Sequence, residues 1–236
     1  MDTRWVLTEN QQISGILPGL PTPIESLLAS RGISSLGDLQ LFLNPPHKLP
    51  YDPLKLPDMD KALRRIYQAL EQEQFIGVFG DFDVDGITAT AIIKEGLGTF
   101  GIPVSPYIPD RASEGHGLSK NAIEYFKSQS VVLIITVDCG VTSIDEVAYA
   151  NQLGIDVIIT DHHVPGDSIP DALAIINPRV QERSYPYLNL SGAGLAFKLI
   201  QGLYEFIDQP WPINLLELAA MGTIADLVPL TDENRY

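Results

Sequence analysis

The stretch Phe75-Ile76-Gly77-Val78-Phe79-Gly80-Asp81-Phe82-Asp83-Val84-Asp85-Gly86 decides the fold of this chain. Its apolar first half predicts a β-strand, and three carboxylates follow at alternate positions, where a helix should begin. Carboxylates this close raise one another's pKa unless a cation lies between them. Oxygen ligands of this kind favour a hard divalent cation such as Mg²⁺ or Mn²⁺. The stretch therefore predicts a metal site at the carboxyl end of a strand.

The same spacing opens a calcium-binding EF-hand loop, Asp-x-Asp-x-Asp-Gly. That loop needs a bidentate Glu at its twelfth position, where this chain has Ile92. It also needs a helix before its first position, where this chain has a short segment rich in β-forming residues. Both mismatches exclude an EF-hand.

Two further apolar runs end in the same way. Residues 131–137 are followed by Asp138-Cys139-Gly140, and residues 156–160 are followed by Asp161-His162-His163. Continuous apolar runs are typical of strands buried on both faces of a parallel sheet. Open α/β sheets bind ligands at the carboxyl ends of such strands. We expect one imidazole of the adjacent pair to bind metal and the other to face a substrate, with Asp161 available to orient a ring.

The alternation of apolar runs with helical patterns predicts an α/β fold with a mainly parallel β-sheet flanked by helices. We predict a domain over residues 59–236 and an irregular, Pro- and Gly-rich N-terminal arm with small helices over residues 1–58. The apolar stripe of the last helix is predicted to be core, with only Asp226 at its end bearing chemistry. The predicted strands cover 75–79, 104–108, 131–137, 156–160 and 172–176, and the later predicted helices cover 87–100, 120–128, 143–152, 193–206 and 214–224.

Composition is compatible with a folded, soluble, cytoplasmic protein without a membrane partner. Of the 236 residues, 45% are hydrophobic, and the apolar runs are far shorter than the roughly 20 residues of a spanning helix. The single cysteine, Cys139, excludes an intrachain disulfide and fits a reducing compartment. We interpret Cys139 as a buried spacer rather than a nucleophile, because no basic partner flanks it.

The ordered motifs resemble those of the DHH phosphoesterase superfamily. The motifs are the Asp-x-Asp-x-Asp-Gly run from Asp81, the strand-end Asp138, the Asp161-His162-His163 triplet and Gly222-Thr223-Ile224-Ala225-Asp226. The sequence around these motifs, including residues 80–90, 114–118 and 225–230, is similar to that of the RecJ branch. This branch contains the single-strand-specific 5′ to 3′ DNA exonucleases. The likeness runs over about residues 24–236.

This resemblance implies a centre of two divalent cations, Mn²⁺ or Mg²⁺. It assigns one cation to Asp81, Asp83 and Asp138, and the other to Asp85, Asp138, His162 and Asp226, so that Asp138 bridges. Many superfamily members carry a His where this chain has Phe79, and Asp81 substitutes for it here. His163 is assigned to the scissile phosphate as a hydrogen-bond donor or general acid. Arg111 and His116 are expected to hold phosphate.

A net charge of −15 is unusual for a nucleic-acid binder, whose phosphate contacts come from Lys and Arg. Two bound dications would offset part of that charge. RecJ-like proteins also continue into a second, substrate-gripping domain with a Gly-Gly-His motif and an OB-fold. Gly-Gly-His does not occur here, so we expect this chain to be a fragment or a truncated homologue.

The resemblance implies metal-dependent hydrolysis of phosphodiesters, with single-stranded DNA degraded 5′ to 3′ during repair and recombination. A single-strand-binding protein or a helicase is the expected protein partner. An oligoribonuclease or cyclic-dinucleotide phosphodiesterase of the same superfamily is an alternative, and a catalytically silent replication scaffold is another. The intact set of acids and imidazoles argues against the scaffold. Ser191-Gly192-Ala193-Gly194 either presents backbone N–H groups to a phosphate or packs a helix closely on the sheet.

Overall fold

Five parallel strands form one sheet in the order β2-β1-β3-β4-β5. The strands are β1 (Ile76–Gly80), β2 (Val104–Tyr107), β3 (Leu133–Val137), β4 (Asp156–Thr160) and β5 (Ala174–Ile176). Every residue of β1 and β3 is buried, as their continuous apolar runs predict. The chain moves from β1 outward to β2 and then crosses to the other side of β1 to form β3. This reversal opens a crevice at the carboxyl ends of β1 and β3.

The structure is a computed structural model that describes residues 19–44, 51–180 and 185–236. The chain divides into one unit of residues 50–234 and a second unit of residues 1–49 with 235–236. The predicted α/β fold with its parallel sheet is confirmed in the first of these units. Within the described ranges, no helix is long and apolar enough to cross a membrane.

Helices cover both faces of the sheet. The unit that contains the sheet holds α3 (Met59–Glu71), α4 (Val84–Gly98), α5 (Lys120–Ser128), α6 (Ile144–Gln152), α7 (Gly192–Phe206) and α8 (Leu215–Ala225). The other unit holds α1 (Thr22–Ala29) and α2 (Leu36–Leu43). Side chains of a strand alternate between faces. Gly77 faces Phe126 of α5, whereas Gly80 faces Thr90 of α4. Helices α5 and α6 therefore cover one face, and α4 covers the other, where it packs against α7 and α8.

The unit that holds the N-terminal residues contains two short helices. Leu28 and Ile33 are buried there, with Phe42 among the partly buried residues packed against them. The guanidinium of Arg235 lies 4.2 Å from the Phe42 ring centroid. Small helices were expected in this part of the chain, but residues 1–18 and 45–50 of the predicted arm lie outside the described residues. The division of the chain at residue 58 stays a prediction.

Helix α4 begins at Val84, three residues before the predicted start. Asp83 caps it, because its Oδ1 accepts a hydrogen bond of 3.0 Å from the backbone N–H of Gly86. Gly86 also lies against the preceding strand end, where an added Cβ would be 2.4 Å from the carbonyl oxygen of Asp81. Asp85 therefore lies in the first helical turn rather than in a loop.

The prediction that the apolar stripe of the last helix is core is correct for only part of α8. Leu215 and Ala219 are buried, but Met221 and Ile224 are 56% and 59% exposed. Helical periodicity shows which residues share a face, but it does not show which faces another element covers. The sequence prediction of a Met, Leu and Ala core stripe was wrong for Met221 and Ala220 for that reason.

Candidate metal centre

The acidic and imidazole side chains predicted from sequence meet at the carboxyl ends of the parallel strands. Asp81 follows β1, Asp138 follows β3, and the Asp161-His162-His163 triplet follows β4. Helices supply the remaining carboxylates: Asp83 caps α4, Asp85 lies in its first turn, and Asp226 caps the end of α8. The site occupies the crevice between β1 and β3, where the topology of an open sheet places ligands.

Among the described residues the side chains form three overlapping groups of possible ligands: Asp138 with His162 and His163, and the two sets that match the prediction. In the first set, ligand atoms of Asp81, Asp83 and Asp138 all lie within 4.8 Å of one another. In the second set, ligand atoms of Asp85, His162 and Asp226 do the same. The two sets meet because Asp138 Oδ1 lies 3.0 Å from His162 Nε2. This is the geometry expected if Asp138 contributes to both sets.

The surroundings of the His162 ring nitrogen Nε2 suit a bound cation better than they suit the protein without one. Nε2 is buried, and it also lies 3.9 Å from Asp85 Oδ2 and 3.8 Å from Asp226 Oδ2. The short approach to Asp138 lacks hydrogen-bond geometry, so Nε2 has no hydrogen-bond partner in the part of the chain that the structure describes. Buried nitrogen atoms are normally paired. A divalent cation among these oxygens would satisfy Nε2 and offset the clustered negative charge.

Asp85 is held by the start of α7. Its two carboxylate oxygens accept hydrogen bonds of 2.6 Å and 2.8 Å from the backbone N–H groups of Gly192 and Ala193. These N–H groups were considered as phosphate donors from sequence, but the structure gives them to a carboxylate of the chain itself. An anion at a helix N-terminus is favoured by the helix dipole and the free N–H groups. Burial raises the pKa of Asp85, and these two hydrogen bonds oppose the rise.

Asp138 has a backbone conformation that few residues adopt. Its φ is +60°, in the left-handed region, which is uncommon for a residue other than glycine and is often found at functional sites. Gly192 packs against it so closely that an added Cβ would lie 2.4 Å from Asp138 Cβ. Burial raises the pKa of Asp138 to about 7, and the Asp85 and Asp83 carboxylates add to the rise while His162 opposes it.

Asp161 organises the second imidazole. It is buried, and its carboxylate accepts hydrogen bonds from the His163 ring Nδ1 at 2.7 Å, from the His163 backbone at 3.0 Å and from the Val141 backbone at 2.9 Å. Burial alone would raise the pKa of Asp161, but these hydrogen bonds lower it below its ordinary value. The hydrogen bond from Nδ1 in turn raises the pKa of His163 to about 9. The His163 side chain is 58% exposed, and the Asp161 carboxylate favours the protonated form of its ring.

A family model described as the DHH family, N-terminal domain, matches residues 75–223. The chain belongs to the DHH family. It is 44% identical over 212 residues to the single-stranded-DNA-specific exonuclease RecJ of Bacillus subtilis (strain 168), an alignment that covers 90% of this chain and 26% of that protein. The predicted resemblance to this family and to RecJ is confirmed.

Solved structures of RecJ superpose on this DHH chain. One is a crystal structure of exonuclease RecJ bound to manganese, with a TM-score of 0.73 and 38% identity, covering 79% of this chain and 47% of that one. Another is RecJ in complex with Mn²⁺ from Thermus thermophilus, with a TM-score of 0.70 and 34% identity, covering 88% and 29%. The chain therefore spans less than half the length of each of these three relatives.

The loop that follows β2 places two further predicted residues of this DHH domain against Phe82, and one of them also approaches Asp81 of the first ligand set. His116 Nδ1 lies 3.4 Å from Asp81 Oδ2, and its ring lies 4.6 Å from the ring of Phe82. The Arg111 guanidinium lies 5.1 Å from the Phe82 ring centroid. Both side chains are exposed at the edge of the crevice. Their role as phosphate ligands stays a prediction.

Cys139 is a buried free cysteine in the DHH domain, as predicted. Burial raises the pKa of its thiol, and the neighbouring Asp161 and Asp138 carboxylates add to the rise. The thiolate is the reactive form of cysteine. Burial and the raised pKa therefore support Cys139 as a packing residue beside the candidate ligand sets rather than a nucleophile.

Sequence reasoning missed Asn177 and Arg179, which follow β5 and contact the backbone of the DHH triplet. Asn177 Nδ2 donates to the carbonyl of His163 at 2.9 Å, and Arg179 Nε donates to the carbonyl of His162 at 2.9 Å. These contacts join residues 14 and 17 positions apart. No local periodicity or motif spacing indicates them, because they depend on β4 and β5 lying side by side.

Proposed function

We propose that this chain is the catalytic part of a metal-dependent exonuclease that hydrolyses phosphodiester bonds in single-stranded DNA. The observation that carries the proposal is the pair of ligand sets that meet at Asp138 and His162. Similarity to proteins called single-stranded-DNA-specific exonuclease RecJ supports the substrate. The catalytic domain is assigned to residues 59–236, within which the DHH match lies.

The ligand sets suit two hard divalent cations. Solved RecJ relatives are described as bound to manganese or in complex with Mn²⁺ and Mg²⁺, and we assign the same cations to this chain. Asp81, Asp83 and Asp138 would hold one, and Asp85, Asp138, His162 and Asp226 the other. When bound, such a pair lowers the pKa of a water molecule to supply hydroxide and stabilises charge on the attacking and leaving oxygens.

His163 is assigned to the scissile phosphate as a hydrogen-bond donor or general acid. Asp161 accepts a hydrogen bond from the Nδ1–H group of His163, so Nε2 is the ring nitrogen that remains for the substrate. The raised pKa of His163, about 9, keeps the ring protonated at neutral pH. A cationic donor stabilises the negative charge that develops on a phosphate during cleavage.

Arg111 and His116 are assigned to phosphates of the strand that enters the crevice. Both are exposed and lie against Phe82, next to the first ligand set. Arg carries a fixed charge and a planar fork that matches phosphate oxygens. The positive charge of Arg111 would offset part of the acidic surroundings at the point where DNA approaches.

The cellular setting follows from the similarity to RecJ. We infer 5′ to 3′ degradation during DNA repair and recombination in the cytoplasm, with a single-strand-binding protein or a helicase as partner. These proposals concern the whole protein, of which this chain spans a part of the relatives' length.

The test is hydrolysis of a 5′-labelled single-stranded DNA and of a short oligoribonucleotide, each with Mn²⁺ or with EDTA. Release of labelled mononucleotide from DNA, with Mn²⁺ only, is the expected result. Cleavage of the oligoribonucleotide alone would contradict the proposal and favour the small-substrate phosphodiesterase. Bound Mn²⁺ with no cleavage of either substrate would favour either the silent scaffold or a requirement for the parts of the relatives that this chain does not span.

Asp138→Ala is the matched variant for this assay. Outer-shell partners of metal ligands contribute about 10- to 100-fold to activity, so the loss of a ligand shared by both sets should cost more than about 100-fold. The circular dichroism spectrum should be unchanged, because Asp138 lies just beyond the carboxyl end of β3 rather than within the hydrophobic core. A variant that folds normally and keeps a tenth of wild-type turnover, roughly one outer-shell contribution, would contradict the shared-ligand assignment.

A further inference from the structure

Two consecutive backbone carbonyls of the DHH triplet are each bound by a side chain from the segment that follows β5. Arg179 Nε donates to the carbonyl of His162, and Asn177 Nδ2 donates to the carbonyl of His163, both at 2.9 Å. These carbonyls lie beyond the end of β4, where the ladder of the sheet no longer pairs them. The turn that carries the two imidazoles is therefore fixed by side chains rather than by the sheet.

The two side chains also fix each other. Asn177 is fully buried, and its Oδ1 accepts a hydrogen bond of 2.8 Å from the backbone N–H of Arg179. Asn177 thereby uses both ends of its amide, one on the His163 carbonyl and one on the segment that carries Arg179. A buried amide that is hydrogen-bonded at both its oxygen and its nitrogen is a rigid support, so the Arg179 backbone is held at a set distance from the triplet.

Arg179 connects this turn to the other side of the second ligand set. Its second terminal nitrogen, Nη2, donates to Asn189 Oδ1 at 3.2 Å. Asn189 lies two residues before Ser191, which caps the start of α7 by accepting a hydrogen bond of 3.1 Å from Gly194. That helix start holds the carboxylate of Asp85. One guanidinium thus spans the turn of His162 and the segment that holds Asp85.

We propose that Arg179 and Asn177 are positioning residues that hold His162 at the distance from Asp85 that a cation requires. The proposal rests on the two-cation centre proposed above. Neither side chain is assigned to the metal or to the substrate. Partners that orient a metal-ligating His typically contribute about 10- to 100-fold to metal affinity, and here they act through the backbone of the ligand rather than through its ring.

The experiment is calorimetric titration of the chain with Mn²⁺, accompanied by electron paramagnetic resonance of the bound Mn²⁺. Arg179→Met keeps the length of the stem and removes every donor, whereas Arg179→Lys keeps one cationic donor. We expect Arg179→Met to weaken one Mn²⁺ by about 10- to 100-fold and to leave the other unchanged, with Arg179→Lys in between. Asp226→Asn removes a carboxylate ligand of the second set. The Mn²⁺ binding event that weakens in this variant therefore identifies the event that should weaken in Arg179→Met.

Arg65 supplies the matched control at the opposite end of the strands, where β4 and β1 begin. It is buried and donates to Asp156 at 2.6 Å and to Gln74 at 2.9 Å, beside the starts of β4 and β1. Arg65→Met should lower the unfolding midpoint at least as much as Arg179→Met does, yet keep both Mn²⁺ affinities. Should Arg179→Met fail to fold, Asn189→Ala removes one arm of the guanidinium contact and is expected to weaken the same step by a smaller factor.

The outcomes separate this inference from the proposed function. Wild-type chain that binds fewer than two Mn²⁺ would overturn the two-cation centre and this inference with it. Two Mn²⁺ bound by the wild type with unchanged affinities in Arg179→Met, or in Asn189→Ala if that variant replaces it, would overturn the positioning role alone. Equal weakening of both steps in the Arg179 and Arg65 variants would show a general loss of stability and would also overturn it.

Discussion

Gly192→Ala tests the shared position of Asp138 by adding a single methyl group. Alanine keeps the N–H that binds Asp85, so only the methyl changes. The new Cβ would lie 2.4 Å from Asp138 Cβ and 2.8 Å from its Oδ1. Carbon atoms in contact are normally about 3.5 Å apart, so Asp138 or the start of α7 must move by about 1 Å.

A displacement of about 1 Å at a reacting centre can cost about 100-fold in rate. We therefore expect Gly192→Ala to lower kcat/KM on labelled single-stranded DNA by about 100-fold. Mn²⁺ should also bind more weakly to both ligand sets, since Asp138 faces both. Crowding of the packed helix start should lower the free energy of unfolding by about 1–3 kcal/mol, which leaves the chain folded.

Two other glycines separate the effect on the site from the effect on packing. Gly194→Ala adds the same methyl two residues along α7, where the nearest atom is Leu190 Cδ2 at 3.4 Å, and should keep activity and stability. Gly96→Ala places a methyl 2.7 Å from Ile200 Cδ1, between α4 and α7, and should lose stability but keep Mn²⁺ binding. Wild-type kcat/KM and two tightly bound Mn²⁺ in Gly192→Ala would refute the reasoning.

Three further variants test other parts of the molecule. Asp161→Asn removes the carboxylate that raises the pKa of His163 to about 9. Because the ring is protonated below that pKa and neutral above it, the alkaline limb of the plot of kcat against pH should move to lower pH. An alkaline limb that does not move would contradict the pairing of Asp161 with His163. Cys139→Ala should keep the wild-type kcat/KM. In the native chain, mass spectrometry should show that iodoacetamide alkylates Cys139 slowly, because burial raises the pKa of its thiol. Rapid alkylation would count against a buried thiol. Phe126→Ala should cost about 3–5 kcal/mol in urea unfolding, since Phe126 is fully buried over Gly77; a cost near 0.5 kcal/mol, typical of surface positions, would be inconsistent with that packing.

The sequence predicted the sheet well because its strands carry their own signal. β3 and β4 are rich in Ile and Val, and they are buried throughout in β3 and at all but one position in β4, so composition and length identify them without tertiary information. The short strand β5 begins at Ala174, two residues after its predicted start. The ladder with β4 decides where β5 begins, and pairing of that kind does not show in the local pattern.

The candidate ligands were also predictable, because the carboxyl ends of adjacent parallel strands meet in space. The surroundings of those ligands were not. Backbone N–H groups at the start of α7 suit a phosphate and a carboxylate equally well, and only the packing of α4 against α7 shows that they bind Asp85. The contacts of Asn177 and Arg179 with the DHH triplet likewise depend on the neighbouring strand β5.

Anomalous diffraction from crystals grown with Mn²⁺ would test the two-cation centre most directly. We expect two peaks in the crevice between β1 and β3, one bound by Asp81 and Asp83 and the other by Asp85, His162 and Asp226, with Asp138 contacting both. A single peak, or Mn²⁺ bound away from Asp138, would contradict the assignment of two cations to these ligand sets.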